Sequence, residues 1–345
     1  MIRININLVR QGMTTAGNIY SVDGTLLIPI NTTLTGDYIR KLKQEGFDSI
    51  YVQNPHIKGL EPFDREIERI KAEATSIIHR ECADIRSDKK LNLSCIYNIS
   101  EMIVDCVLSN RNLLIHLSDI RAHNDYTFGH SVNVCMLSIM TGIKMRYNNT
   151  QLHELSVGAL LHDIGKLLIP DEILSKPSKL VGDDWKIMRQ HVTLGYEIVM
   201  EKTGNVSPRS GNIILQHHEN YNCRGYPAGL CSDEIDEYAK ITAVADMYDA
   251  ITADRTYRPA SYHHDAYHSI LAAKGVRFDQ EIVDVFINNV AKYPIGSVIL
   301  LSTFETGTVI ESFAETQDQP VVKVIADEYR RSLAGNGRII DATLF

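Results

Sequence analysis

Leu160-Leu161-His162-Asp163-Ile164-Gly165-Lys166 closes an apolar-periodic run that begins at Leu152. Leu155, Val157, Leu160 and Leu161 lie on its apolar positions, which predicts a buried helix from Leu152 to Lys166. Adjacent residues on a helix point about 100° apart, so His162 and Asp163 can serve one centre only inside a crowded core. Aspartate can bridge two cations through its two oxygens, and histidine offers a neutral nitrogen to a borderline metal.

Outward from this run the same residue types recur. His130 lies upstream, and His191, the pair His217-His218 and Asp246 lie downstream, with gaps of 32, 29, 26 and 28 residues along the series. Each gap accommodates one helix and a return segment. The ligand candidates then project from different helices into a shared core, as a two-metal hydrolytic site in a helical bundle requires. Asp246 sits within Ile241-Thr242-Ala243-Val244-Ala245-Asp246-Met247, where an unpaired carboxylate would be costly to bury.

The other segments differ in character. Residues 1–60 read as a small α/β module. Apolar residues alternate over 2–9, and Asn18–Tyr20 and Leu26–Ile28 flank an Asp23-Gly24 turn. Thr35 is placed to cap a helix over 36–45 ahead of Gly46, and a short extended run spans Asp48–Gln53. In the connecting segment 61–110, Ile67, Ile70, Ala74, Ile77, Ile78 and Cys82 fall at helical spacing. That helix is either one side of the main bundle or a surface for signalling or dimer contact. Residues 111–295 carry helical patterns, interrupted by a Gly- and Pro-containing loop over 220–238. Beyond Tyr293-Pro294, residues 296–345 hold β-rich runs at Val298–Leu301, Thr308–Ile310 and Val321–Ile325. The fold class expected is mainly α: a helical bundle with an N-terminal α/β module and a β-rich C-terminal extension.

Composition narrows the partners. With 35 basic and 43 acidic residues, the formal net charge is −8. That excludes a broadly basic surface for duplex nucleic acid, while a small anionic substrate remains compatible with a cation-bearing site. No apolar run approaches the roughly 18 residues needed to span a bilayer, and the N-terminus lacks a signal-peptide core, so no membrane insertion and a cytoplasmic location are expected. Six cysteines, none in a CxxC pair, read as reduced thiols.

The chain resembles the HD-GYP subgroup of the HD-domain metal-dependent phosphohydrolases over roughly 115–295. The resemblance rests on Tyr126-Thr-Phe-Gly-His130, the run 160–166, Ile169–Leu174, Lys176-Pro177 and His191 with Gly195. Gln216–Glu219, Gly225-Tyr226-Pro227 and Val244–Ala250 follow in family order. It implies an HD-type helical bundle that holds two divalent metal ions, iron or manganese. By that likeness one ion takes His130, His162, Asp163 and Asp246. The other takes His191, His217 and His218, with Asp163 between them. Tyr126 stands where some members carry a glutamate for a third ion, so two are expected.

The implied activity is hydrolysis of cyclic di-GMP to pGpG, and then to GMP if the pocket admits the second step, through attack of a metal-bridging hydroxide in bacterial signalling. Asp163 and Lys166 would be catalytic, and Lys166, Tyr226, Arg255 and Arg258 would contact substrate. Two alternatives stay open: another cyclic dinucleotide such as cyclic GMP-AMP, or a low-turnover cyclic-dinucleotide-binding module. A homodimer or a signalling protein partner is compatible with either. The N-terminal module would regulate, oligomerise or buttress the long helix, and the C-terminal extension would pack on the bundle without contributing chemistry. The chain departs from the family over Asn220–Arg224, where Asn-Tyr-Asn-Cys-Arg replaces the usual Arg and Asp-Gly.

Overall fold

The computed structural model describes residues 2–21, 25–47, 49–53, 65–86, 91–110, 126–176, 178, 180–201, 206–252, 263–303, 305–312, 317–324, 330–332 and 339–341. It is mainly helical with small sheets at either end.

The N-terminal part holds β1 (Ile2–Asn5), β2 (Ile19–Tyr20), β3 (Leu26–Ile28), α1 (Gly36–Gln44) and β4 (Ser49–Val52). β1 pairs antiparallel with β4, and β2 with β3. Thr35 caps α1, its hydroxyl accepting from the Tyr38 N–H at 3.3 Å. Past the helix end Gly46 takes φ +80°, a left-handed conformation that a side chain would strain. Ile19, Ile28, Leu34, Leu42, Phe47 and Ile50 form a separate apolar core here.

The bundle begins with α2 (Arg65–Arg86) and α3 (Leu93–Ser109), followed by α4 (Tyr126–Lys144) and α5 (Asn149–Leu161). Ile70, Ala74 and Ile78, four residues apart on α2, enter the same core as α3, α4 and α5. The long N-terminal helix is therefore one side of the main bundle. α5 is exposed only at its start: eight of its residues, Leu152 and Leu155 to Leu161, are buried. A helix turn buried on every side must be enclosed by others, and α3, α4 and α9 pack around it. Its start is defined by a reciprocal cap, in which Asn148 accepts from the Gln151 N–H at 3.0 Å and Gln151 accepts from the Asn148 N–H at 2.9 Å.

α5 ends at Leu161 rather than running on to Lys166. His162 occupies the C-cap, and a 3₁₀ turn takes over at Ile164–Leu168. The cause is a close approach of backbones: a Cβ on Gly165 would lie 1.9 Å from the His191 carbonyl oxygen and 2.5 Å from the Gly195 nitrogen. A continued helix could not bring the two segments so near.

The remaining helices are α6 (Asp171–Leu174), α7 (Asp183–Arg189), α8 (His191–Tyr196), α9 (Pro208–Gln216), α10 (Glu237–Thr252), α11 (His263–Ala273) and α12 (Gln280–Ile287). Five strands follow: β5 (Val298–Leu301), β6 (Thr306–Glu311), β7 (Val321–Val324), β8 (Arg330–Ser332) and β9 (Ile339–Asp341). They form an antiparallel sheet in the order β8-β7-β6-β5-β9. Gln317 ties this sheet to the bundle, donating to the Ile287 carbonyl at 2.7 Å and accepting from the Lys292 N–H at 3.1 Å. The sheet thus packs on the bundle through the segment after α12. Among the described residues, no helix is long and apolar enough to cross a membrane.

The expectation of six reduced thiols is corrected. Cys223 and Cys231 form a disulfide, while Cys95, Cys106 and Cys135 remain thiols. Antiparallel pairing of Asn222 with Cys231 brings the two loop ends together, which the one-dimensional spacing of the cysteines does not reveal.

Candidate metal centre

Five helices deliver the polar cluster. His130 comes from α4, His162 caps α5, His191 opens α8, His217 caps α9 with His218 beside it, and Asp246 lies within α10. The described residues contain two groups able to hold a divalent metal. One is Asp163, His191, His217 and His218, and the other is His130, His162 and Asp246. All seven residues singled out in the sequence thus lie together, with Asp163 grouped beside His191, His217 and His218 rather than with His130, His162 and Asp246.

Asp163 stands between the sets. Its Oδ2 lies 3.3 Å from His162 Nε2 and 3.8 Å from His130 Nε2, while its Oδ1 lies 3.5 Å from His191 Nε2 and 3.9 Å from His217 Nε2. One carboxylate oxygen faces each set. Asp246 Oδ1 lies 3.1 Å from His130 Nε2, with 14% of the Asp246 side chain exposed.

The rings are aimed from behind. Nδ1 of His162 bonds the Ala159 carbonyl at 2.8 Å, that of His191 the Met188 carbonyl at 2.7 Å, and that of His217 the Ile213 and Ile214 carbonyls at 3.1 Å. A carbonyl only accepts, so each Nδ1 carries the proton and each Nε2 presents its lone pair to the interior. Nε2 of His191 and His217 and Oδ1 of Asp163 are buried without a hydrogen-bond partner. A buried acceptor left unmatched is costly, and inward lone pairs on neutral imidazoles beside two carboxylates are the donor set a divalent transition metal takes. The residues fit a divalent-metal centre.

Electrostatics point the same way. Burial drives His191 down to about 4 and His218 to about 3, so both are neutral near pH 7. His217 is lowered by burial and by the neighbouring His218 and His162. Burial opposes ionisation of Asp163, yet the Lys166 ammonium and His162 hold its carboxyl well below the usual range. Asp246 is likewise held down, against burial, by His130 and His218.

Of the residues assigned to substrate, Lys166 places Nζ 2.5 Å from Asp163 Oδ2 and remains 25% exposed. Tyr226 lies at the wall of the centre, its ring stacked on His218 at 4.8 Å and its N–H bonded to the His218 carbonyl at 3.2 Å. The Arg189 guanidinium lies 5.0 Å from the Tyr226 ring centre. Arg255 and Arg258 lie outside the described residues, as does the side chain of Tyr126.

Two supporting residues were missed in the sequence. Asp249 accepts from His130 Nδ1 at 2.6 Å and from Asn133 Nδ2 at 2.8 Å, performing for His130 what backbone carbonyls do for the other rings. Its position three residues after Asp246, one helical step on the same face, was the available signal. Glu219 accepts three backbone N–H groups, from Ala228 at 2.7 Å, Gly229 at 3.0 Å and Leu230 at 3.0 Å, and so ties down the loop carrying Tyr226. No sequence spacing announces that clamp. Asp249→Asn removes the anionic acceptor that fixes the His130 tautomer. Metal affinity should fall roughly 10- to 100-fold, read by competition with a chelator, while the circular dichroism spectrum stays unchanged.

The family described as the HD domain matches residues 116–282. The chain is 32% identical over 256 residues to the cyclic di-GMP phosphodiesterase PA4108 of Pseudomonas aeruginosa, covering 74% of this chain and 60% of that protein. It is 34% identical over 181 residues to a cyclic di-GMP phosphodiesterase of Thermotoga maritima, covering 52% of this chain and 48% of the relative. It is 29% identical over 209 residues to the 3'3'-cGAMP-specific phosphodiesterase 2 of Vibrio cholerae, covering 59% of this chain and 40% of the relative. The chain therefore spans three fifths or less of the length of these relatives. Among solved structures, Bd1817, a HDG"Y"P protein from Bdellovibrio bacteriovorus, superposes with a TM-score of 0.55. It is 18% identical and covers 83% of this chain and 97% of its own length, a likeness of fold.

Proposed function

We propose, from the match of residues 116–282 to the family described as the HD domain, that the chain is an HD-GYP-type, metal-dependent phosphodiesterase that hydrolyses cyclic di-GMP to pGpG. The observation that carries this reading is the placement of Asp163, one oxygen toward His130 and His162 and the other toward His191 and His217. Such a carboxylate could serve a cation held by either histidine set.

His130, His162 and Asp246 would hold one ion and His191, His217 and His218 the other, with iron or manganese matching imidazole and carboxylate donors. Bound there, the pair would lower the pKa of a shared water and spread the charge that develops on phosphorus in an in-line displacement. The chain's own groups supply the rest. The Nδ1 bonds of His162, His191 and His217 lock the rings, so no reorientation is needed as charge develops. Lys166, anchored beside Asp163 and partly exposed, can reach a phosphate oxygen or give a proton to the departing 3′ oxygen. Tyr226 offers a flat face against which a nucleotide base could rest.

Lys166→Met is expected to lower kcat about 100-fold or more while metal content stays at the wild-type level. Loss of metal together with activity would instead make Lys166 a support for Asp163.

The direct test of the activity is anaerobic loading with iron or manganese, followed by chromatography of cyclic di-GMP and, in parallel, cyclic GMP-AMP. Accumulation of pGpG supports the reading. Hydrolysis of cyclic GMP-AMP alone would move the substrate to the alternative dinucleotide, of which the Vibrio cholerae relative's name is the precedent. Tight nucleotide binding with no product under either metal would favour a binding module.

A further inference from the structure

The stretch where this chain departs from the HD-GYP pattern ends in Cys223-Arg224, and Cys223 is bonded to Cys231. Between them lies Gly225-Tyr226-Pro227, so the disulfide closes a ring of chain around the residue that stacks on His218. Cys223 takes φ +64°, an unusual conformation for a residue with a side chain. Its N–H bonds the Asn220 carbonyl at 2.9 Å, and the Ser232 N–H bonds the Tyr221 carbonyl at 3.3 Å across the ring's neck. Gly225 packs so tightly that an added Cβ would lie 2.3 Å from Glu219 Cα, which fixes the path of the chain into Tyr226.

The loop is thus held at two places. Glu219 grips Ala228, Gly229 and Leu230 through its carboxylate, and the disulfide closes the neck. The first anchor does not depend on the second. Cys223 is exposed and Cys231 half-buried, so a dissolved reductant can reach the bond.

We propose that the Cys223–Cys231 disulfide is a positioning element for the metal centre, holding Tyr226 against His218 when oxidised and loosening that wall of the site when reduced to two thiols. The consequence for a cyclic dinucleotide rests on the function proposed above, but the consequence for the loop does not. In a cell the co-reactant would be a dithiol. One of its thiolates attacks a cystine sulfur, the S–S bond breaks, and the other cysteine leaves as a thiolate that takes up a proton. The second thiol then displaces the protein sulfur. Two electrons pass to the cystine and the dithiol becomes a disulfide.

The test uses the full chain, oxidised or treated with a phosphine, which takes up the oxygen of one water as it reduces cystine to two thiols. Thiol titration should find two additional thiols after treatment; no increase overturns the proposal. Hydrogen exchange followed by mass spectrometry reads the loop without any substrate. Reduction should speed exchange at Tyr226 and Ser232 roughly tenfold while Ala228, Gly229 and Leu230, still bonded to Glu219, change little. Uniform protection in both states overturns the proposal, and a uniform loss over 220–235 would assign the disulfide a merely structural role.

Kinetics give the second readout. Ordering one side chain is worth roughly three- to tenfold in binding, so KM for cyclic di-GMP should rise by about that factor on reduction, with kcat and metal content held. The double variant Cys223→Ser/Cys231→Ser should show the reduced-state KM and no response to phosphine. Bis(4-nitrophenyl) phosphate, a diester lacking bases to stack, should be turned over equally by all forms. Equal KM values for cyclic di-GMP in oxidised and reduced protein would overturn the proposal. An exchange response without any cyclic di-GMP hydrolysis would leave the positioning role standing and remove the substrate reading instead.

Discussion

Asp163→Ala is expected to abolish two-metal loading and to reduce phosphodiester hydrolysis by about 1,000-fold or more. The reason is the double engagement of this carboxylate. Both of its oxygens face imidazoles, from four different helical segments, and Lys166 is anchored on it as well. Removing it takes the carboxylate oxygen away from beside the Nε2 lone pairs of His191 and His217 and frees the Lys166 ammonium beside the cluster. One ion could still be retained by the other ligands, so metal content below two per chain is the primary readout and turnover the second. Asp163→Asn, which keeps the volume and loses the charge, should resemble alanine in metal content. Wild-type loading and activity in Asp163→Ala would refute the bridging role.

Gly165→Ala is expected to have the next largest effect, although Gly165 carries no functional group. The added methyl would occupy a point 1.9 Å from the His191 carbonyl oxygen, 2.5 Å from the Gly195 nitrogen and 2.8 Å from the His191 carbonyl carbon. All three are backbone atoms, so no rotamer change relieves the collision. The turn bearing Asp163 and Lys166 and the start of α8 bearing His191 must separate, and the two halves of the cluster separate with them. Overpacking of ordinary cores costs about 1–3 kcal/mol, and a rigid backbone clash belongs at or above the upper end. A fall in Tm of roughly 10 °C should accompany loss of the ion held by His191, His217 and His218. Gly36→Ala provides the control. Nothing but a Gln11 oxygen lies within 4.0 Å of its Cβ position, and alanine suits a helix start, so stability and metal content should stay unchanged.

The two predictions also mark where sequence suffices and where it does not. The seven ligand candidates were legible because residue type and spacing both carry information: imidazoles and carboxylates recur at one-helix intervals, and apolar runs flank them. The bundle core was legible for the same reason, as Ile70, Ala74 and Ile78 on α2 illustrate.

What could not be read are the features set by contact between distant segments. α5 stops at Leu161 because Gly165 must meet His191, a constraint that the local pattern over 152–166 does not contain. The Cys223–Cys231 pair depends on loop ends joined by the Asn222 and Cys231 bridge, which linear separation leaves open. Glu219 was visible only as the residue after two histidines, whereas its carboxylate serves amides nine to eleven residues on. Asp249 lay within a quoted motif, yet its partner His130 is 119 residues away.

These additions change the picture of the site. The residues of the cluster are the part that residue type foretells. Their aim comes from the carbonyls of Ala159, Met188, Ile213 and Ile214 and from Asp249, and Tyr226 beside the cluster comes from a loop held by Glu219 and by a disulfide.

Metal content per chain, measured by elemental analysis after anaerobic purification and loading with iron or manganese, tests the central claim most directly. Two ions per chain, falling below two in Asp163→Ala, is the predicted result. A single ion in the wild type, unaffected by loss of Asp163, would contradict it.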